Sequence, residues 1–223
     1  MNRKLTAVLL ILAAVLANVA FTALGSIFNY PDVLDEPAGE VLASFRAHEG
    51  AVSAWFTVLA LSAALLAPIA VGVGRLSARR EMRWAVRVGI AAATVQVIGL
   101  LRWPILVPGY ASSGNRGAFE TAGDVLGTAI GETVGYLLTA VWTLLVVVAL
   151  GRSFAGRWFT VLGIASAALV FVGVFSPLDL PVVDTANFFG YVLYSLWLIA
   201  FGVVILVRER RGAAAPAPAA VTS

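Results

Sequence analysis

The chain has 223 residues, of which 61% are hydrophobic and only 12% are charged, with a formal net charge of +3. Its mean hydropathy of +0.95 excludes an ordinary soluble domain, because a soluble fold of this size could not bury so much apolar surface. The chain contains no cysteine, which excludes disulfides, thiolate metal sites and a cysteine nucleophile.

Six apolar tracts predict six membrane-spanning helices. Each tract has about 20 residues, enough for a helix to cross the roughly 30 Å hydrocarbon core of a bilayer. Helices are favoured because lipid cannot hydrogen-bond exposed backbone groups, and because the alternating segments of a membrane barrel are missing. The predicted spans are residues 5–24, 51–74, 84–107, 133–150, 158–175 and 188–207. The expected fold is an all-α, polytopic membrane protein, a bundle of helical hairpins in one domain over residues 1–211.

The connectors predict an orientation with both termini in the cytoplasm. Basic residues dominate the connectors on the side of the termini, whereas most acids, Asp179 and Asp184 among them, lie on the opposite side. The positive-inside rule then gives an N-in, C-in protein. Fourteen arginines beside abundant Ala, Gly and Val indicate a GC-rich bacterial genome, so the expected location is the cytoplasmic (inner) membrane of a bacterium. The first span is expected to be retained, because Asn18 and Phe21 disrupt a signal-peptide cleavage pattern. Residues 212–223, rich in Ala and Pro, predict a flexible cytoplasmic tail.

Two long connectors lie on the side away from the termini, at residues 26–50 and 109–132. Each contains a stretch that predicts a short helix against the mouth of the bundle, at residues 41–48 and 118–130. Such helices either cover a pocket or simply solvate one end of the bundle.

Prolines predict bends in three spans. Pro68 indicates a kink in the second span, and Pro104 and Pro108 are expected to bend or end the third. Pro177 and Pro181 are expected to do the same in the fifth span.

The last four spans contain a candidate internal repeat. "WAVRVGIAAATVQVIGLLRWP" from Trp84 parallels "WFTVLGIASAALVFVGVFSP" from Trp158, and "GYLLTAVW" from Gly135 parallels "GYVLYSLW" from Gly190. This pattern predicts a parallel duplication of a two-helix unit. Chance similarity between apolar helices is the alternative. The glycines have a packing role in either case, since they let helices approach closely in lipid.

Arg102 lies near the outer end of the third span, roughly 27 Å along the helix from Trp84. Three interpretations are open: the long side chain snorkels to the interface, it forms an ion pair with Glu132, or it binds an anionic group of a ligand. The second interpretation predicts that the two side chains approach within salt-bridge range. Gln96 lies about 120° around the helix and is expected to form a hydrogen bond between helices.

Polar residues recur at helical spacing in the fourth and sixth spans and predict two stripes that face the interior of the bundle. The stripes comprise Glu132, Tyr136, Thr139 and Thr143 in one span and Asn187, Tyr191 and Tyr194 in the other. Their outer ends lie at the depth of Arg102. The candidate ligand-binding residues are therefore Arg102, Glu132, Tyr136, Asn187 and Tyr191.

The sequence offers little for catalysis. It has a single histidine, His48, and no aspartate or lysine in the middle of a span. No glycine-rich phosphate loop precedes a helix. No catalytic residue, metal site or cofactor is predicted, and whether the chain is an enzyme stays open, with a non-enzymatic role favoured.

"GRWFTVLGIASAALVFVGVF" followed by "GYVLYSLWLIAFGVVIL" resembles the closing half of an uncharacterised family of bacterial multi-pass membrane proteins, domain of unknown function 4386. The matching positions are Arg157, Trp158, Gly163, residues 196–199 and Gly202. The resemblance implies a six-helix bundle and brings no established activity. The "LRWPILVP" stretch departs from the pattern, which leaves a sister group as an alternative.

These features favour a membrane protein that holds a small or lipid-like ligand in an outward-opening polar cavity, as a sensor, accessory subunit or minor transporter. The alternative is a structural or partner-binding membrane subunit, and an intramembrane enzyme ranks third. The expected partners are the lipid bilayer, a small-molecule or lipid ligand and a membrane protein, but no nucleic acid.

Overall fold

The computed structural model describes residues 2–178 and 180–213, and within these residues it contains helices and no strand. Six of the helices are long and apolar enough to span a membrane. They are α1 (Arg3–Phe28), α2 (Glu49–Gly74), α3 (Arg80–Ser113), α4 (Arg116–Leu150), α5 (Arg157–Leu178) and α6 (Pro181–Arg211). The all-α, six-helix prediction is confirmed. Asp179 and residues 214–223 of the expected tail lie outside the described residues.

The six helices form a closed ring. Each packs against its neighbours in sequence, and α6 returns to pack against α1. We call the end of the bundle that carries both chain termini the terminal end, and the opposite end the far end. Large apolar side chains such as Val15, Val148 and Val161 remain exposed on the outside of the ring. This surface fits the acyl chains of a bilayer, where apolar exposure carries no penalty.

The terminal half of the ring is filled by a hydrophobic core to which every spanning helix contributes. The core includes Leu10, Ile69, Trp142, Phe159 and Trp197, all fully buried. Two side chains add hydrogen bonds between helices: the buried Ser62 Oγ donates to Ala13 O at 3.1 Å, and the exposed Asn18 Nδ2 donates to Ser195 Oγ at 2.9 Å. Packing of small and aromatic residues therefore holds this half together.

The far end of α1, α2 and α3 is closed by a second, aromatic cluster. Trp103 stacks on Phe56 with ring centroids 4.7 Å apart, and Phe28 meets the same indole edge-on at 5.3 Å. Phe45 joins the cluster from a short helix, Ala38–Ala47. The first long connector thus contains the helix expected near residues 41–48, and this helix packs on the far end of the bundle.

The second long connector differs from expectation. Residues 118–130 do not form a separate cap, because they belong to α4. This helix runs through an α-helical start at Arg116–Ala122, a π-helical segment at Gly123–Val134 and an α-helix at Gly135–Leu150. Asn115 caps its beginning by accepting a hydrogen bond from Ala118 N at 3.1 Å. An N-cap upstream of a glycine-rich stretch starts the helix early.

The prolines interrupt helices more often than they end them. α2 breaks at Leu65, three residues before Pro68, and α3 passes Pro104 before it breaks at Leu106. The 3₁₀ segment Gly173–Leu178, which contains Pro177, ends α5. The expectation for Pro181 is wrong, because Pro181 begins α6. The N–H groups in the first turn of a helix have no intrahelical acceptor, so the missing N–H of proline costs no hydrogen bond there.

The two hairpins of the candidate repeat make equivalent contacts. A Cβ placed on Gly89 would lie 2.7 Å from Trp142, and one placed on the matching Gly163 would lie 2.9 Å from Trp197. In both hairpins a glycine of the first helix therefore accommodates the indole of the second. This shared packing supports the duplication that the sequence suggests.

Candidate ligand site: a polar cluster at the far end

Glycines bring α3 and α4 into close contact on the path to the far end. At this contact, every fourth residue of α4 faces every third residue of α3, over three pairs. The facing pairs are Gln96 with Gly135, Gly99 with Gly131, and Arg102 with Gly127. A Cβ on Gly99 would lie 2.7 Å from Gly131 Cα, so only glycine permits this approach.

The π-helical segment of α4 carries two of these glycines. π-helical turns are rare and frequently lie at functional sites. The sequence analysis misses one signal for this arrangement: glycines at positions 123, 127, 131 and 135 recur every four residues. The repeat indicates a close helix contact, although it does not indicate the π-helical form.

Arg102 is inside the bundle, with only 9% of its surface exposed. Its guanidinium lies against Gly127, where a Cβ would come within 2.6 Å of Cζ. Nη1 donates a hydrogen bond to Gly99 O at 2.8 Å, and Cζ is 5.5 Å from the ring centroid of Trp103. The charge therefore does not snorkel to the surface.

The expected salt bridge between Arg102 and Glu132 is wrong: among residues 2–178 and 180–213 the structure contains no direct ion pair between them. The guanidinium is turned toward Gly99 O and the backbone of Gly127 instead. Arg102 still attracts the Glu132 carboxylate electrostatically at longer range, while Asp184 repels it. The two charges thus share one environment without touching.

Tyr136 and Tyr191 extend the cluster from α4 to α6. Their rings meet edge-on with centroids 5.6 Å apart. The Tyr191 hydroxyl interacts with Thr139, and Thr139 Oγ1 accepts a hydrogen bond from Gln96 Nε2 at 2.6 Å. A polar chain therefore links α3, α4 and α6, and the prediction that Gln96 forms a hydrogen bond between helices is confirmed.

Asn187 lies at the edge of this group. It is 8% exposed, and its Nδ2 donates to Val170 O at 3.1 Å. Together with Tyr136 it fills the space above Gly173. The structure therefore brings Arg102, Tyr136 and Tyr191 each within electrostatic range of Glu132, whereas Asn187 lies beside Tyr136 and is already hydrogen-bonded to α5.

Tyr30, in the connector after α1, is a member of the cluster that the sequence analysis misses. Its ring packs edge-on against Phe56 at 5.2 Å. The pKa of its hydroxyl is raised to about 12, chiefly by burial and to a lesser extent by the negative charge of Glu132, while the positive charge of Arg102 opposes the rise. No spacing rule points to a tyrosine outside a span, so only the fold reveals it.

The arrangement suits binding better than catalysis. It offers guanidinium and phenol donors next to a carboxylate acceptor, a set that can hold a small charged group. The part of the chain that the structure describes contains no group of three His, Asp or Glu residues placed to hold a metal ion. Glu132, Tyr136 and Tyr191 are each only partly buried.

A family model described as "Domain of unknown function (DUF4386)" matches residues 5–202, most of the chain. The match includes the "LRWPILVP" stretch around Arg102, which the resemblance in the last third of the chain left unassigned. No curated protein and no solved structure matches this sequence significantly.

Proposed function

We propose that this chain, which belongs to the DUF4386 family, is an integral membrane protein that binds a small or lipid-like ligand with an anionic group at its far-end polar cluster. The binding residues are Arg102, Glu132, Tyr136, Asn187 and Tyr191, joined by Tyr30. The ligand is held for sensing, for an accessory role or for transport, and not for chemical conversion. The observation that carries this proposal is the buried guanidinium of Arg102, which no carboxylate of residues 2–178 and 180–213 contacts directly.

A buried charge is costly unless it is paired and hydrogen-bonded. Arg102 has five N–H donors, and the hydrogen bond to Gly99 O occupies one of them. A carboxylate or phosphate could take two more in the bidentate geometry that guanidinium favours. Glu132, within electrostatic range but out of contact, would then face any cationic part of the same ligand.

A groove beside the cluster supports a ligand with an apolar part. It lies between the far-end portions of α3 and α4 and is lined by Leu106, Tyr110, Val125 and Leu126, among others. Leu126 directly precedes Gly127, on which the guanidinium rests. An acyl chain in this groove would place an attached anionic headgroup close to Arg102.

The test is a thermal-stability screen of purified protein in detergent with a panel of metabolites and lipids. A ligand that binds only the folded state raises the melting temperature by mass action. We expect at least one anionic compound to do so for the wild type, and the rise to disappear in Arg102→Ala. Arg116→Ala is the matched control, because it removes an exposed positive charge from the same end of α4.

Three outcomes would contradict the proposal. An equal rise in Arg102→Ala would place the ligand elsewhere. A co-purifying membrane protein, with no compound shifting the melting temperature, would favour a partner-binding subunit. Turnover of a bound compound that is lost in Glu132→Gln would favour an enzyme.

A further inference from the structure

Three arginines form an exposed stripe near the start of α3. Arg80, Arg83 and Arg87 are spaced i, i+3 and i+7, so they share one face of the helix. The buried face of α3, which includes Met82 and Gly89, lies on the opposite side at 3.6 residues per turn. The stripe therefore points away from the bundle, toward the surrounding lipid.

The stripe extends along the axis of α3 at the terminal end. Arg87 lies about 10 Å farther along the helix than Arg80, within the predicted span 84–107. Trp84, beside the stripe, is 47% exposed, as is typical of tryptophans at a membrane interface. Arg87 Cζ is 4.9 Å from the Trp84 ring centroid, a cation–π contact that holds the guanidinium against the helix surface.

The stripe has no acidic counterpart in the part of the chain that the structure describes. In the described ranges 2–178 and 180–213, none of the three arginines forms an ion pair or a side-chain hydrogen bond that would occupy its guanidinium. Glu81 is adjacent in sequence but lies about 100° around the helix from Arg80. Three guanidinium groups are thus free to contact an anion outside the chain.

The face beyond the arginines is apolar. Ile90 and Ile98 continue it toward the middle of the span and are 40% and 43% exposed. A ligand that fits the whole face must therefore have a negative head and a long apolar tail. A soluble anion would use only the arginines and leave the apolar part without a role.

We propose that Arg80, Arg83 and Arg87, together with Trp84, form a binding site for the headgroup of an anionic phospholipid. The guanidinium groups of Arg83 and Arg87 contact the phosphate, which they match in bidentate geometry. The acyl chains lie along the apolar face that includes Ile90. This site is separate from the far-end cluster and does not depend on its function.

The test measures lipid binding by native mass spectrometry of protein in detergent. Phosphatidylglycerol and phosphatidylcholine with identical acyl chains are titrated separately, and inorganic phosphate serves as a competitor. The test variant is Arg83→Gln/Arg87→Gln. The control variant is Arg210→Gln/Arg211→Gln, which makes the same change in charge at the exposed end of α6.

We expect the wild type and the control to prefer phosphatidylglycerol, and the test variant to bind it roughly 30-fold more weakly, since each basic residue near a membrane contributes about fivefold. Equal weakening in the two variants would overturn the proposal, because it would mean that diffuse charge attracts the lipid. Displacement of the lipid by inorganic phosphate at equal concentration would also overturn it, because the rest of the headgroup and the acyl chains would then contribute nothing to the affinity.

A second variant separates a loss of lipid binding from a loss of the folded state. Arg83→Lys/Arg87→Lys keeps both charges and both flexible stems but cannot form the bidentate contact. We expect it to melt at the wild-type temperature in detergent and to bind phosphatidylglycerol severalfold more weakly than the wild type. Undiminished binding in this variant would refute the guanidinium contact with the phosphate.

Discussion

The contact between α3 and α4 at Gly99 decides how closely the two helices that carry the charged residues approach each other. In Gly99→Ala the new Cβ would lie 2.7 Å from Gly131 Cα and 2.9 Å from Leu126 O. Both partners are backbone atoms, so no side chain can rotate away. The helices themselves must move apart.

The size of the effect follows from these distances. An ordinary carbon–carbon contact is about 3.5–4.0 Å, so α3 and α4 must separate by about 1 Å at this level. Overpacking of this kind costs about 1–3 kcal/mol, and the better helix propensity of alanine returns up to about 1 kcal/mol. We expect Gly99→Ala to lower the free energy of unfolding by about 1–2 kcal/mol. The separation would also lengthen the 2.6 Å hydrogen bond from Gln96 to Thr139.

The assay is reversible unfolding in mixed micelles with increasing SDS, followed by circular dichroism. Gly123→Ala is the matched control, because Gly123 belongs to the same four-residue glycine series but a Cβ there would meet no atom within 4 Å. The control should be as stable as the wild type or slightly more stable. If Gly99→Ala proved as stable as Gly123→Ala, the close approach of the two helices would be refuted.

Two further predictions concern the aromatic residues. Trp197→Phe should destabilise the protein by about 1 kcal/mol more than Trp142→Phe in the same SDS titration. The reason is that Trp197 Nε1 donates a hydrogen bond to a backbone carbonyl at 3.2 Å, whereas the buried Trp142 Nε1 has no partner among the described residues. Equal losses of stability in the two variants would contradict this. For Tyr30, the folded protein holds the hydroxyl proton more tightly, with a pKa of about 12 against the ordinary 10.0, so stability should be unaffected below pH 10 and fall between about pH 10 and pH 12. Tyr30→Phe should make that alkaline decline shallower, because one of the protons released on unfolding is then missing, and an unchanged decline would assign it to other groups.

The architecture was predictable because lipid imposes one strong constraint. A chain that cannot leave backbone groups unpaired in hydrocarbon must form helices wherever an apolar tract is long enough. Hydropathy therefore predicts the six helices, and helical spacing predicts that Tyr136 and Tyr191 face the interior. The same spacing argument separates Gln96 from Arg102 and predicts its hydrogen bond to another helix.

The details of the site were harder to predict because they depend on how two helices meet. The Arg102 guanidinium lies against Gly127. Gly127 is in that position because α4 continues toward the far end through a π-helical segment. Sequence spacing assumes a regular helix and a loop at residues 109–132, so it places Glu132 in contact with Arg102. Tyr30 reaches the cluster through a connector, where no periodic pattern applies.

A comparison of the two repeated hairpins shows which roles of Arg102 and Glu132 a neutral residue can also fill. Arg102 corresponds to Ser176, and each side chain donates to a glycine carbonyl three residues earlier at 2.8 Å. Glu132 corresponds to Asn187 in the same alignment. The α5–α6 hairpin thus meets the same positions with two neutral residues, which shows that a hydroxyl can supply this backbone hydrogen bond.

Charged groups in a membrane-spanning bundle cost more than neutral ones, by about 2.5–3.5 kcal/mol at the centre of a helix and less toward its ends. The packing of the hairpin therefore does not account for the charges of Arg102 and Glu132. The anionic ligand that we propose would account for the guanidinium, because a bound anion would recover the cost of burying it. The proposed site is therefore centred between α3 and α4, with the neutral residues of α5 and α6 in its wall.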